Sequence, residues 1–148
     1  MFYEQALEAA MAGIAEDGTN PLAHRQAALA NLSLENYEAA AAHFEHAATL
    51  RPIYAFEDEG IREQAWIMLY QQAIPLVNAG DYEPAIELFE SANAIFASRP
   101  EGMVTLAQLY AQTRDHDKAL ANMDAALVII NSDKITEMDS ATVVAWQT

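Results

Sequence analysis

The sequence predicts an all-α protein built as an array of antiparallel helix pairs, and three observations carry that expectation. Alanine is abundant, while glycine and proline number five each. That balance favours helix over sheet. Hydrophobic residues make up 53% of the 148-residue chain, enough for a core and too many for general disorder. Finally, one stripe recurs. Tyr82, Ala85, Phe89 and Ala92 follow Gly80 at steps of three and four, so they share one face of a helix. The aromatic-to-alanine step returns at Tyr3/Ala6 and Tyr37/Ala40, and with histidine at His116/Ala119. From Ala6 to Ala40, Ala85 and Ala119 the steps are 34, 45 and 34 residues. A second pair follows each marker: Ala10/Gly13, Phe44/Ala47, Phe89/Ala92 and Met123/Ala126.

Taken in order, Phe2 to Ala15 reads as the second helix of a unit whose first helix is missing. Residues 17–20 form a turn. Pro21 to Leu34 and Asn36 to Leu50 make the first complete pair, with Pro21 at a helix start, where proline is tolerated. Eleven extra residues fall between Pro52 and Trp66. Asp58 is expected to cap a long helix over Glu59 to Ala79; the alternative is an ordered loop over Ile53 to Glu57. Pro75 lacks the donor for one helical hydrogen bond, so a bend is expected near Gln71. Asp81 to Ser98 is the partner helix. Pro100 to Gln112 and Asp115 to Ile130 make the third pair, and Ser132 to Trp146 is expected to open another unit. The whole chain, 1–148, is then one domain: a half-unit at 2–15, units at 21–52, 58–98 and 100–131, and a C-terminal helix at 132–146.

This pattern resembles the tetratricopeptide repeat (TPR), a helix-turn-helix unit with a 34-residue period. Met103, Leu106, Ala107 and Tyr110 match the first-helix motif of that family. Tyr37, Ala40, Phe44, Ala47 and Pro52 match the second. The resemblance covers nearly the whole chain. It implies a right-handed superhelical α-solenoid of about three full repeats flanked by half-repeats, with the first helices lining a concave face. A unit of this kind cannot bury its apolar face alone. The chain is therefore expected either to come from a longer protein or to pack its ends, the Phe2 to Ala15 helix and Trp146, on another subunit.

The charge narrows the partners. Twenty-two acidic residues oppose seven basic ones, for a formal net charge of -15. Nucleic acid and anionic membrane surfaces would be repelled, while a partner with basic flanks would be attracted. No run approaches the roughly 18 apolar residues of a membrane span. Glu4 and Glu8 stand where a signal peptide needs positive charge, so none is expected and the default expectation is cytoplasmic. With no cysteine, disulfide and thiolate chemistry are absent. No nucleophile elbow, phosphate loop or zinc-protease motif occurs, and no catalytic residue, cofactor or metal is expected. His43 and His46, three apart, read as surface histidines, His24 as a satisfied core histidine and His116 as a packing substitute for the marker tyrosine. Tyr37, Phe44, Tyr82, Phe89 and Met123 read as core.

Groove positions of the resembled family map onto Leu22, Arg25, Leu29 and Leu32 in the first unit. They map onto Ile67, Tyr70, Ile74 and Val77 in the second, and onto Glu101, Val104, Gln108 and Ala111 in the third. This is an apolar trough with Arg25, Tyr70 and Gln108 as polar contacts. The expected function is a non-catalytic scaffold holding a protein or peptide segment with apolar anchors. The alternative is self-assembly through the repeat ends. A family subtype that clamps C-terminal carboxylates is disfavoured, because the clamp positions hold Arg25, Leu29, Ile67 and Glu101, of which only Arg25 has a suitable charge.

Overall fold

Helix start and stop signals in the sequence become eight helices in the computed structural model, which describes the backbone of residues 2–147 and the side chains of residues 2–132. They are α1 (Phe2–Glu16), α2 (Pro21–Ser33), α3 (Tyr37–Leu50), α4 (Ile53–Glu57), α5 (Glu59–Ala79), α6 (Tyr82–Ile95), α7 (Pro100–Gln112) and α8 (His116–Gln147). No strand occurs among the described residues. Three pairs, α2 with α3, α5 with α6 and α7 with α8, form the units, and α1 packs on α2. The first two units join where α3 meets α6, and the last two where α6 meets α7.

Each unit turns the corner in the same way. Glu35, Gly80 and Arg114 have φ of 63°, 81° and 66°, the left-handed region that favours glycine. The amide of the next residue reaches back five positions in every case: Asn36 to the Asn31 carbonyl, Asp81 to Leu76 and Asp115 to Tyr110, all at 2.8 Å. This bond satisfies a carbonyl that the helix end leaves free. Elsewhere the termini use other devices. Asn20 caps α2 by accepting from the Leu22 and Ala23 amides at 3.1 and 3.3 Å, and prolines open α2 and α7.

Three boundaries differ from those the sequence predicts. Residues 53–57, expected as loop or as a lead-in to the long helix, form the short helix α4, pinned by Tyr54. Helix α6 ends at Ile95, three residues before Ser98, and the chain leaves it at Phe96 in an extended conformation. Phe96 is buried there, so burying the aromatic takes the place of another helical turn. No turn separates Ile130 from Ser132, and α8 runs on through the helix expected over 132–146. Residues 127–134 contain neither glycine nor proline, so nothing in the sequence stops the helix. The side chain of Trp146 lies outside the described residues.

The core is built from alanine and a few large side chains. Ala40, Ala47, Ala85 and Ala92 are fully buried, as are Phe44 and Phe89. One cluster joins Ala28, Tyr37 and Phe44 to Ala65, Trp66, Leu69 and Ile95. Another gathers Ala73, Ala85 and Phe89 with Leu106, Leu109 and Tyr110. The pattern weakens along α8. Ala126 is buried, but Met123 is 37% exposed and His116 is exposed, so these two do not fill the positions that Phe89 and Tyr82 occupy in α6. Trp66 ties three helices together. Its ring stacks on Tyr70 at 4.8 Å, its Nε1 donates to Asn93 Oδ1 at 3.2 Å, and the Arg99 guanidinium lies 4.4 Å from its ring centre. Gly102 makes room for this. A Cβ there would collide with Asn93 Oδ1 and come within 3.2 Å of Trp66 Nε1.

Two measurements check these readings. Glu35→Gly and Arg114→Gly are each expected to raise stability by about 0.5–1 kcal/mol in urea denaturation, because they relieve left-handed strain; Gly80→Ala is expected to lower it by a similar amount. Gly102→Ala is expected to cost about 1–3 kcal/mol through overpacking and to shift the tryptophan emission.

A candidate docking surface

The first helices α2, α5 and α7 carry the residues assigned to the groove, and the structure distributes them unevenly. Leu22, Gln108 and Ala111 are exposed, as is Glu101; Leu29, Leu32, Ile67, Tyr70, Ile74, Val77 and Val104 are half-buried. Leu29, Leu32 and Ile67 rest on the first core cluster, and Ile74 and Val77 on the second. Tyr70 touches both clusters. It stacks on Trp66 and meets Phe89 edge-on at 5.4 Å, so much of its ring belongs to the core.

Arg25 is committed elsewhere. Its Nε donates to both Asp58 carboxylate oxygens at 2.9 and 3.2 Å, and its terminal nitrogen lies 2.8 Å from Oδ1. Arg25 and Arg51 also flank the Tyr54 ring at 5.0 and 5.1 Å. Asp58 therefore does not cap α5. Its carboxylate is buried against Arg25, and no side-chain capping bond forms at that helix start. The charge expected to select ligands instead fastens α4 to α2.

Two apolar depressions open beside these residues. The larger, about 410 Å³, lies between α1 and α2 and is walled by Phe2, Tyr3, Ala6, Ala10, Leu29 and Ala30. Tyr3 and Ala6 stand at the marker positions that Tyr37 and Ala40 occupy in α3, yet both are exposed. The smaller, about 190 Å³, lies between the α2–α3 corner and α5. Leu32, Tyr37, Ile61, Gln64, Ala65 and Met68 line it. Among the described residues α2 and α5 are not a close-packed pair, which leaves this cleft open. Burial raises the Tyr37 phenol above its ordinary pKa, so the cleft wall stays neutral.

Ile61 and Met68 were absent from the groove expected from the sequence. Both are more than 40% exposed. They lie seven residues apart, two turns on one face of α5. The signal was the eleven-residue insertion, which adds turns to the start of α5 before Trp66. Phe2 and Tyr3 were legible as the uncovered stripe of an unpaired second helix.

The histidines regroup as well. His24 is buried as expected, but His46, on the next helix, stacks on it at 3.9 Å, and His43 Nδ1 lies 3.4 Å from His24 Nδ1. His46 is exposed, as expected, whereas His43 is half-buried. Sequence spacing linked only His43 and His46, because the pairing with His24 crosses two helices. Among the described residues no three His, Asp or Glu side chains form a group that could hold a metal ion. No helix among them is long and apolar enough to cross a membrane.

Family models described as tetratricopeptide repeat match residues 76–130 and 26–54. No curated protein matches by sequence. Among solved structures, a crystal structure of MamA overlaps 89% of this chain and 71% of its own at 19% identity, with a TM-score of 0.45. MamA from residue 41 onward, from Desulfovibrio magneticus RS-1, overlaps 88% of this chain and 86% of its own at 16% identity, with a TM-score of 0.44.

The Asp58 pairing has a measurable consequence. Asp58→Ala is expected to cost about 2 kcal/mol, within the range for hydrogen bonds to charged groups, because Arg25 loses its partner at a partly buried site. Glu101→Ala, which breaks only the exposed 3.6 Å pair with Arg99, is expected to cost under about 0.5 kcal/mol. Thermal and urea unfolding of the two variants compare them directly.

Proposed function

The chain is a tetratricopeptide-repeat protein, and we propose that it is a non-catalytic scaffold that holds an amphipathic segment of another protein against its first helices. The observation that carries this reading is the set of half-buried and exposed apolar side chains on α2 and α5. Leu29, Leu32, Ile61, Ile67, Met68 and Ile74 belong to it, and Leu29 and Leu32 border the two depressions. Val77 on α5 and Val104 on α7 are half-buried as well.

Affinity comes from apolar anchors placed at helical spacing. A net charge of -15 draws in basic flanks and speeds their encounter. Selectivity rests on Gln108 and on the exposed edge of Tyr70 rather than on Arg25, whose guanidinium is already occupied by Asp58. A family of this kind supplies surface rather than reacting groups.

The alternative is self-assembly through the ends of the array. It is favoured by exposed apolar residues at both ends, Phe2 and Tyr3 on α1 and Leu120, Leu127 and Val128 on α8. Light scattering across a concentration series separates the two readings: mass that grows with concentration supports assembly.

For the docking reading, peptides selected on the wild-type chain from a library of amphipathic helices are expected to carry apolar anchors and basic flanks. They are expected to lose at least about tenfold in affinity, roughly 1.4 kcal/mol, on Leu29→Glu or Met68→Glu, with circular dichroism unchanged. Selected peptides that bind both variants as tightly as the wild type would remove the reading.

A further inference from the structure

The three histidines at the α2–α3 pair form a device that the docking reading does not use. His24 is 4% exposed. Its Nε2 lies 2.9 Å from the Gly18 carbonyl, which can only accept, so Nε2 carries the proton. In the neutral ring His24 Nδ1 is then a lone pair, and His43 Nδ1, 3.4 Å away, must donate to it. His46 stacks on the same ring, tilted by 22°. The bond between the two Nδ1 atoms needs one proton on the line joining them, and the neutral pair already supplies it.

Filling both positions breaks the arrangement. When both Nδ1 atoms carry a proton, two N–H groups face each other across 3.4 Å. A second charge on the stack would repel the first across 3.9 Å. His46 is exposed, but no carboxylate among the described residues pairs with the cluster. On α2, Arg25 is engaged by Asp58. In the α1–α2 turn, the Asp17 carboxylate accepts from the amide and hydroxyl of Thr19. On α3, Glu45 reaches toward Arg62 at 3.7 Å, and Glu38 is exposed. Glu16 of α1, Glu57 of α4 and Glu83 and Glu87 of α6 are exposed, and Glu90 accepts from the Tyr110 hydroxyl. Among the described residues no ion pair includes any of the three histidines.

We propose that His24, His43 and His46 form a pH-sensitive latch that holds α2, α3 and the Gly18 turn together when neutral and loosens the first unit when the cluster takes up protons. Burial, and then the neighbouring His24 and His46, hold the His43 pKa below its ordinary value of 6.5. A depressed histidine favours the folded state when neutral. Its contribution is complete above about pH 6.5 and is lost as the pH falls through that value and below.

The test follows the unfolding of the full chain between about pH 8 and about pH 5, a range that spans imidazole titration and stays above most carboxylates. His43→Gln keeps a donor toward His24, and His46→Phe keeps the stack without a titrating nitrogen. The wild type is expected to lose at least about tenfold in its folding equilibrium constant across this range. The double variant is expected to lose far less, even if it is less stable at the upper end, and His116→Gln, at an exposed position outside the cluster, is expected to keep the wild-type dependence. Amide exchange should show protection falling in α2 and α3 before α7. A double variant with the full wild-type dependence, or acid loosening that begins in α7, would overturn the latch.

Discussion

The second helices of this array carry alanine where a larger side chain would push the next helix away. Ala40, Ala47, Ala85 and Ala92 have no exposed surface, so each sits in contact on every side. In a packed interior one added methylene is felt, because neighbouring atoms cannot retreat far. The large groups are placed against this fixed spacing: Phe44 and Phe89 fill the space between helices, and Trp66 spans from α5 to α6 and α7. Gly102 extends the same rule to the point where even a Cβ is too much. The small residues set how close the helices come, and hence which apolar side chains are left at the surface.

The insertion shows how a departure from the repeat is accommodated. Eleven extra residues would leave polar backbone and a charge without partners. They instead form α4, seat Tyr54 between two guanidinium groups and bury Asp58 against Arg25. The cost of burying that carboxylate is offset by a bidentate partner, since a buried charge without one is expensive. One consequence is that a cation on the first helix of the first unit is taken up by a partner within the fold. Another is that α5 begins earlier and brings Ile61 to the edge of the cleft.

Most of the fold was legible because its signals are local. Periodic alanines, turn positions and prolines place α1, α2, α3, α5 and α7 to within a residue or two. What was not legible depends on distance in the chain. Nothing in the residues around Asp58 indicates that it faces Arg25, thirty-three positions away, and a helix start was the natural local reading. The same holds for His24, whose partners lie on the following helix. The end of α6 was misplaced because Phe96 is as good a helix residue as a core residue, and tertiary burial decided between them. The C-terminal turn was expected from the period alone, without a breaking residue to make it. For the groove, the apolar character of Leu29, Leu32, Ile67 and Ile74 could be read from spacing, whereas the division of their surroundings into two depressions depends on how far α2 stands from α5.

That separation has a mechanical meaning. The last two units are coupled through close helix contact between α6 and α7. The first two meet through α3 and α6 and through bulky side chains such as Phe44 and Trp66, with the short α4 as a strut. In a linear array, cooperativity is set by the coupling between neighbours. Both couplings pass through α6, so that one helix carries strain from either half of the array to the other.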